Sequence, residues 1–236
     1  MPIDTIVAST PISRAVPSGP SRSLTGWWIP LGLVFLGAIP VLAGVLRLTS
    51  FARGDTSMDD AERFASHPAA LSVHIVSALT FTLVGATQFW PALRHARPAV
   101  HRLLGRIAAP AGLVSGLSGL WVMAAYPSSA AAGLPLHVMR ATVGVLMVGF
   151  VLTALVALAR RNYASHGAWM TRAYALGIAA GTQAFVLIPM TFVLHMDTEA
   201  SFTWGMALGW AVNIGAAEWL LHRRARRARA ITPSAR

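Results

Sequence analysis

Apolar and charged positions are segregated along this chain in long blocks. Six stretches contain no Asp, Glu, Lys or Arg: 23–46, 64–93, 107–139, 141–159, 173–196 and 201–217. A helix that crosses the hydrocarbon of a bilayer needs about 20 apolar residues, and each stretch holds one such helix or nearly so. Pro68, Pro91, Pro127 and Pro135 favour helix ends. They trim the longer stretches and give spans at 27–48, 69–90, 103–126, 136–159, 170–194 and 203–221. The pattern predicts an all-α polytopic membrane protein with six transmembrane helices, with Pro40 and Pro189 kinking the first and fifth. Residues 1–26, rich in Ser, Thr, Pro and Gly, read as a disordered tail and make a poor signal peptide. The membrane domain then covers 27–222, and 223–236 forms a basic tail.

Composition agrees. Of 236 residues, 55% are hydrophobic and 11% charged, against about 25% charged in soluble domains. The absence of cysteine excludes a disulfide scaffold, a cysteine-ligated iron–sulfur cluster and covalently attached haem. All 19 basic residues are arginine and the net charge is +11. Alternating the spans across a membrane puts 15 arginines on one side, leaving Arg47, Arg53, Arg63 and Arg140 on the other. The positive-inside rule then makes the rich side cytoplasmic, with both termini there. Nucleic acid is a poor partner for the tail, which has no interleaved aromatics. Anionic lipid at the cytoplasmic face suits it better.

Four of the eight histidines repeat. His74 and His137 are 63 residues apart, His101 and His166 are 65 apart, and Arg106 and Arg172 are 66 apart. Spans two to five therefore read as a four-helix core made of two like-oriented helical hairpins. His74 and His137 are expected in an outer layer, His101 and His166 in an inner one. Small residues share the histidine faces, including the steps Gly112 to Gly116 and Gly177 to Gly181. Such faces let helices approach closely or leave room for a flat ligand. Two histidines facing across a bundle can ligate one haem iron. Arg102, Arg106 and Arg172 inside, and Arg140 outside, are the candidate partners of haem propionates. This reading gives two b-type haems, His74 and His137 binding one and His101 and His166 the other. It makes the protein a transmembrane electron carrier with redox partners that the sequence leaves open. The competing reading is that the histidines are ordinary interfacial residues of a haem-free module, either a small-solute transporter or a packing partner. No span carries a mid-membrane acid of the kind coupled transporters use, and no hydrolase elbow, phosphate loop or HExxH motif occurs. Enzyme activity is left open.

Further polar positions carry blander expectations. Gln88 and Asn213 lie within apolar spans and suit helix-packing hydrogen bonds, with substrate contact as the alternative. Glu218 and His222 can pair along a helix. Asp55, Asp59, Asp60, Glu62 and His67 form an acidic loop opposite the arginine-rich side. Trp27, Trp28, Trp90, Trp204 and Trp219 read as interface anchors. Gly205 and Gly209 offer either a homodimer face or a close neighbour within the chain.

Three segments resemble a known family. They are Leu-Val-Gly-Ala-Thr-Gln-Phe at 83–89, His-Arg-Leu-Leu-Gly-Arg at 101–106 and His-Gly-Ala-Trp-Met-Thr-Arg at 166–172. They are similar to the bacterial membrane proteins of the domain-of-unknown-function 2306 family, over about residues 70–190. The resemblance implies a polytopic protein of the bacterial cytoplasmic membrane and no particular activity. Gly167 and Ala168 stand where such relatives often carry basic residues after the third segment's histidine. The alternating histidines also resemble, in architecture alone, the ascorbate-reducible transmembrane b-type cytochromes.

Overall fold

A computed structural model describes residues 26–55, 68–126 and 133–231. The acidic loop beyond Asp55, with Asp59, Asp60, Glu62 and His67, lies outside the described residues, as do 1–25 and 232–236. The described residues form helices α1 (Trp28–Leu36), α2 (Ala38–Arg53), α3 (Pro68–Thr87), α4 (Pro91–Ala96), α5 (Pro98–Ala125), α6 (Leu134–Ala159), α7 (Tyr163–Phe192) and α8 (Thr198–Ile231). Prolines open α4, α5 and α6 in their first turn, where a missing N–H costs nothing.

The protein is a polytopic helical membrane protein. Helices α3, α5, α6 and α7 are each long and apolar enough to cross a bilayer, and α1 with α2 is apolar and long enough as a pair bent by 50°, the form of a broken span or a re-entrant loop. The bend falls at Gly37, just before Pro40. Proline has no N–H for the carbonyl four residues back, so Pro40 frees the Leu36 carbonyl. That carbonyl lies against Gly181 of α7, where any Cβ would overlap it. α7, by contrast, runs unbroken through Pro189. α8 is less apolar than these helices and is not among those long and apolar enough to cross a bilayer. Its register against α7 is set by contacts: Gly205 packs on Leu187 and Gly209 on Gln183, while Glu218 meets Arg172. α8 therefore runs antiparallel to α7 along most of its length, and the Gly205 to Gly209 step is used inside the chain.

Antiparallel α3, α5, α6 and α7 form the core, as two successive hairpins. Phe81 of α3, 1% exposed, is its central side chain. A Cβ added at Gly112 of α5 would sit 2.7 Å from the Phe81 ring, and one at Gly177 of α7 would sit 2.8 Å from it. Tyr174 lies edge-on to Phe81 with centroids 5.5 Å apart, its ring against Gly85 and its hydroxyl donating to the Thr82 carbonyl at 2.9 Å. α5 and α6 cross where Gly116 faces Gly144. The small faces are thus filled by aromatic rings of the chain itself.

This packing predicts a contrast between glycines. Gly112→Leu must displace Phe81 and should destabilise the fold by about 1–3 kcal/mol, the usual cost of overpacking. Gly149→Leu meets nothing within 4 Å and should be near neutral. Unfolding of the two purified variants in detergent measures the difference.

Candidate functional site at the arginine-rich helix ends

The three sequence segments singled out above meet at one end of the bundle. Pro91 and Pro98 shape the corner between α3 and α5, so His101 falls in the first turn of α5. At the matching corner Arg161 adopts φ 58°, and Asn162 caps α7 by accepting from the Ser165 N–H at 3.0 Å. His166 falls in the first turn of α7. Its Nδ1–H donates to the Ala154 carbonyl of α6 at 2.9 Å. That bond fixes the tautomer and leaves Nε2 with a lone pair. His101 lies within electrostatic range of His166, Arg94 and Arg102. Its Nδ1 is buried without a hydrogen-bond partner among the described residues, and so is the indole Nε1 of Trp90 on the same corner. Gln88 donates to the Thr87 hydroxyl at 3.3 Å and rests its Oε1 over Gly105. Phe89 stacks on Tyr174 at 4.8 Å.

The arginines at this end divide by use. Arg172 donates to both carboxylate oxygens of Glu218, at 2.5 and 2.9 Å, and its guanidinium lies 4.6 Å from the Trp169 ring centroid. The pair joins α7 to α8. Arg172, expected as a propionate partner, is therefore committed to a carboxylate of this chain. Glu218, expected to pair with His222, accepts from its Nδ1 through the backbone carbonyl at 2.7 Å, with His222 within electrostatic range of its carboxylate. The signal for this was available: Glu218 is an acid on the side where arginines gather. Arg102 and Arg106 are exposed.

The expected outer layer is laid out differently. His74 Nδ1–H donates to the Ser115 carbonyl of α5 at 3.1 Å, with the Ser118 hydroxyl at 3.3 Å, and its ring rests over Gly119, about one turn past the Gly116–Gly144 crossing. On antiparallel α6, His137 lies about one further turn toward the end of the bundle, roughly 6 Å at 1.5 Å per residue. The ring of His74 turns to α5 rather than to His137. Arg140 is half-buried near His137. Among the described residues no group of three or more His, Asp or Glu side chains is placed to hold a metal ion. Asn213 behaves as expected, donating to Thr182 of α7 at 2.7 Å. Trp27 and Trp28 are exposed at the start of α1, and Trp204 and Trp219 are exposed along α8, whereas Trp90 buries its indole nitrogen.

Fold and site together define a multi-pass helical membrane protein with a polar cluster of histidine, tryptophan and arginine at one end. A family model described as a predicted membrane protein (DUF2306) matches residues 71–221, and the chain belongs to that family. The match runs from α3 into α8 and leaves α1 and α2 outside it. No curated protein and no solved structure matches the chain.

The Arg172–Glu218 pair is half-shielded, with side chains 23% and 34% exposed. A double-mutant cycle on Arg172→Gln and Glu218→Gln should give a coupling of about 1–2 kcal/mol, above that of an exposed pair. Detergent unfolding of the three variants reads it.

Proposed function

We propose that this protein is a haem-free, solute-binding membrane module whose site is the corner formed by Trp90, His101 and His166, and that its ligand carries a carboxylate or phosphate group. The observation that carries this reading is the pair of buried nitrogens, Trp90 Nε1 and His101 Nδ1, left without partners at the one place where the three family segments converge. Buried polar groups are normally satisfied, and an indole N–H can only donate, so the missing partner presents acceptor oxygens. Arg94 and Arg102 add positive charge beside it. The arginine distribution supports a bacterial cytoplasmic membrane protein with this end and both termini inside, where the basic α8 extension also favours anionic lipid.

A transmembrane relay of two haems fits the packing less well. Phe81 and Tyr174 occupy the space between the small faces, and His74 and His137 stand at different depths. A second reading survives at the arginine-rich end alone. His166, oriented through Nδ1, has the geometry of a metal-ligating imidazole, and His101 is near it. Together they are the residues that would hold one b-type haem, with Arg94 and Arg102 toward its propionates; the haem would supply one-electron chemistry.

Two measurements separate these readings. Protein purified from haem-replete cells should show no Soret band. Titration with inorganic phosphate should quench tryptophan fluorescence saturably, and His101→Ala should weaken that binding about tenfold while Arg140→Ala leaves it unchanged. A Soret band lost in His101→Ala and His166→Ala would overturn the module reading and establish the haem.

A further inference from the structure

A second cavity lies away from this corner, at the kink of the first span. It is half-enclosed, holds about 180 Å³, and is walled by α2, α3 and α7, with Pro40, Gly44, His74, Ala78, Thr82 and Gly177 among its lining. Its origin is in the sequence. The 50° bend before Pro40 changes the direction of the first apolar stretch just where Gly44 leaves a side-chain position open beside Ile75 and Leu79 of the cavity wall.

Among the described residues, only two polar side chains reach this space, His74 and Thr82, and no charged one does. His74 is the informative one. Its Nδ1 faces the Ser115 carbonyl, which can only accept, so the proton is on Nδ1 and Nε2 is an acceptor. His74 lines the cavity, and Nε2 is the ring nitrogen left to accept a ligand's O–H. An otherwise apolar chamber with one fixed acceptor has the form of a small-molecule site. The dimensions narrow the ligand. A cavity of about 150 Å³ accommodates benzene, so this one takes a single six-membered ring with a substituent. Depth in the bilayer and the lack of a lining charge exclude an ion.

We infer that this cavity binds an uncharged, hydroxyl-bearing ring of phenol size, its O–H donating to His74 Nε2. Two sources supply that chemistry: a free phenolic solute, or the head of a membrane-borne hydroquinone reaching the kink from the lipid. The site is independent of the corner described above, and it uses α2, which lies outside the family match.

The test uses the full chain in lipid nanodiscs, with phenol binding followed by saturation-transfer NMR. Phenol should bind saturably, and anisole, which has the ring but no donor, about fivefold or more weakly, the worth of one neutral hydrogen bond. His74→Phe should erase that preference and leave anisole binding unchanged. Ala78→Leu and Ala180→Leu, which fill the cavity from α3 and from α7, should each abolish phenol binding; the pair keeps the test decisive if one variant fails to fold. Displacement of phenol by a decyl-substituted hydroquinone points to the lipid-borne source, and displacement by soluble phenols alone to the free solute. Non-saturable phenol uptake, equal binding of anisole, or binding that survives both leucine variants would overturn the inference.

Discussion

The closure of the core around Phe81 is the contact on which the other helix positions depend. In a bilayer an apolar side chain gains little by leaving lipid for a neighbouring helix, so association rests on close packing and on hydrogen bonds. Phe81 supplies the packing. Its ring is gripped between Gly112 and Gly177, which ties α3 to α5 and α7 in one layer. Tyr174 continues the layer and spends its hydroxyl on the Thr82 carbonyl. The glycines are small because an aromatic ring of the same chain must fit beside them. That is why a small-residue face, read as either close approach or ligand room, resolves here into close approach.

The second means of association, polar bonding in a poorly screening medium, is concentrated on α8. This helix is less apolar than the membrane-crossing helices, and it is held to α7 by Asn213 to Thr182, by Gln183 to the Met206 carbonyl and by Arg172 to Glu218. The first span uses a third device. Pro40 releases the Leu36 carbonyl, and Gly181 lets that carbonyl approach α7 where any side chain would overlap it. The same proline opens the space beside His74. A packing defect and a binding cavity thus have one cause.

Much of the fold was legible, because the bilayer imposes it. Charge-free runs mark spans within a few residues: 69–90 against Pro68–Thr87, and 136–159 against Leu134–Ala159. The repeat offsets correctly bring His101 and His166 to one end. Span ends were less well placed where a helix continues into polar sequence. α5 begins at Pro98 and α7 at Tyr163, since proline and Asn162 start helices regardless of hydropathy. Lateral relations were not legible. Periodicity assigns a face to each helix but not the neighbour it meets, so Phe81 as the central ring, the partner of Glu218 and the direction of the His74 ring needed three dimensions.

The histidine repeat shows how far one-dimensional symmetry reaches. Equal spacing fixes approximate depth only if the helices start at equivalent levels and cross at equivalent points. At the arginine-rich end both hairpins turn through a short corner, opened by prolines in one and capped by Asn162 in the other, and the two histidines come within electrostatic range. At the opposite end the equivalence fails. α5 meets α6 at Gly116 and Gly144, which sets His137 about one turn beyond the level of the His74 ring. The difference has a chemical consequence. His137 is left near the bundle end, while His74 is drawn inward and locked in one tautomer by a backbone carbonyl. The two copies of one hairpin thereby present two different histidines, and only the buried one offers an oriented acceptor inside the membrane.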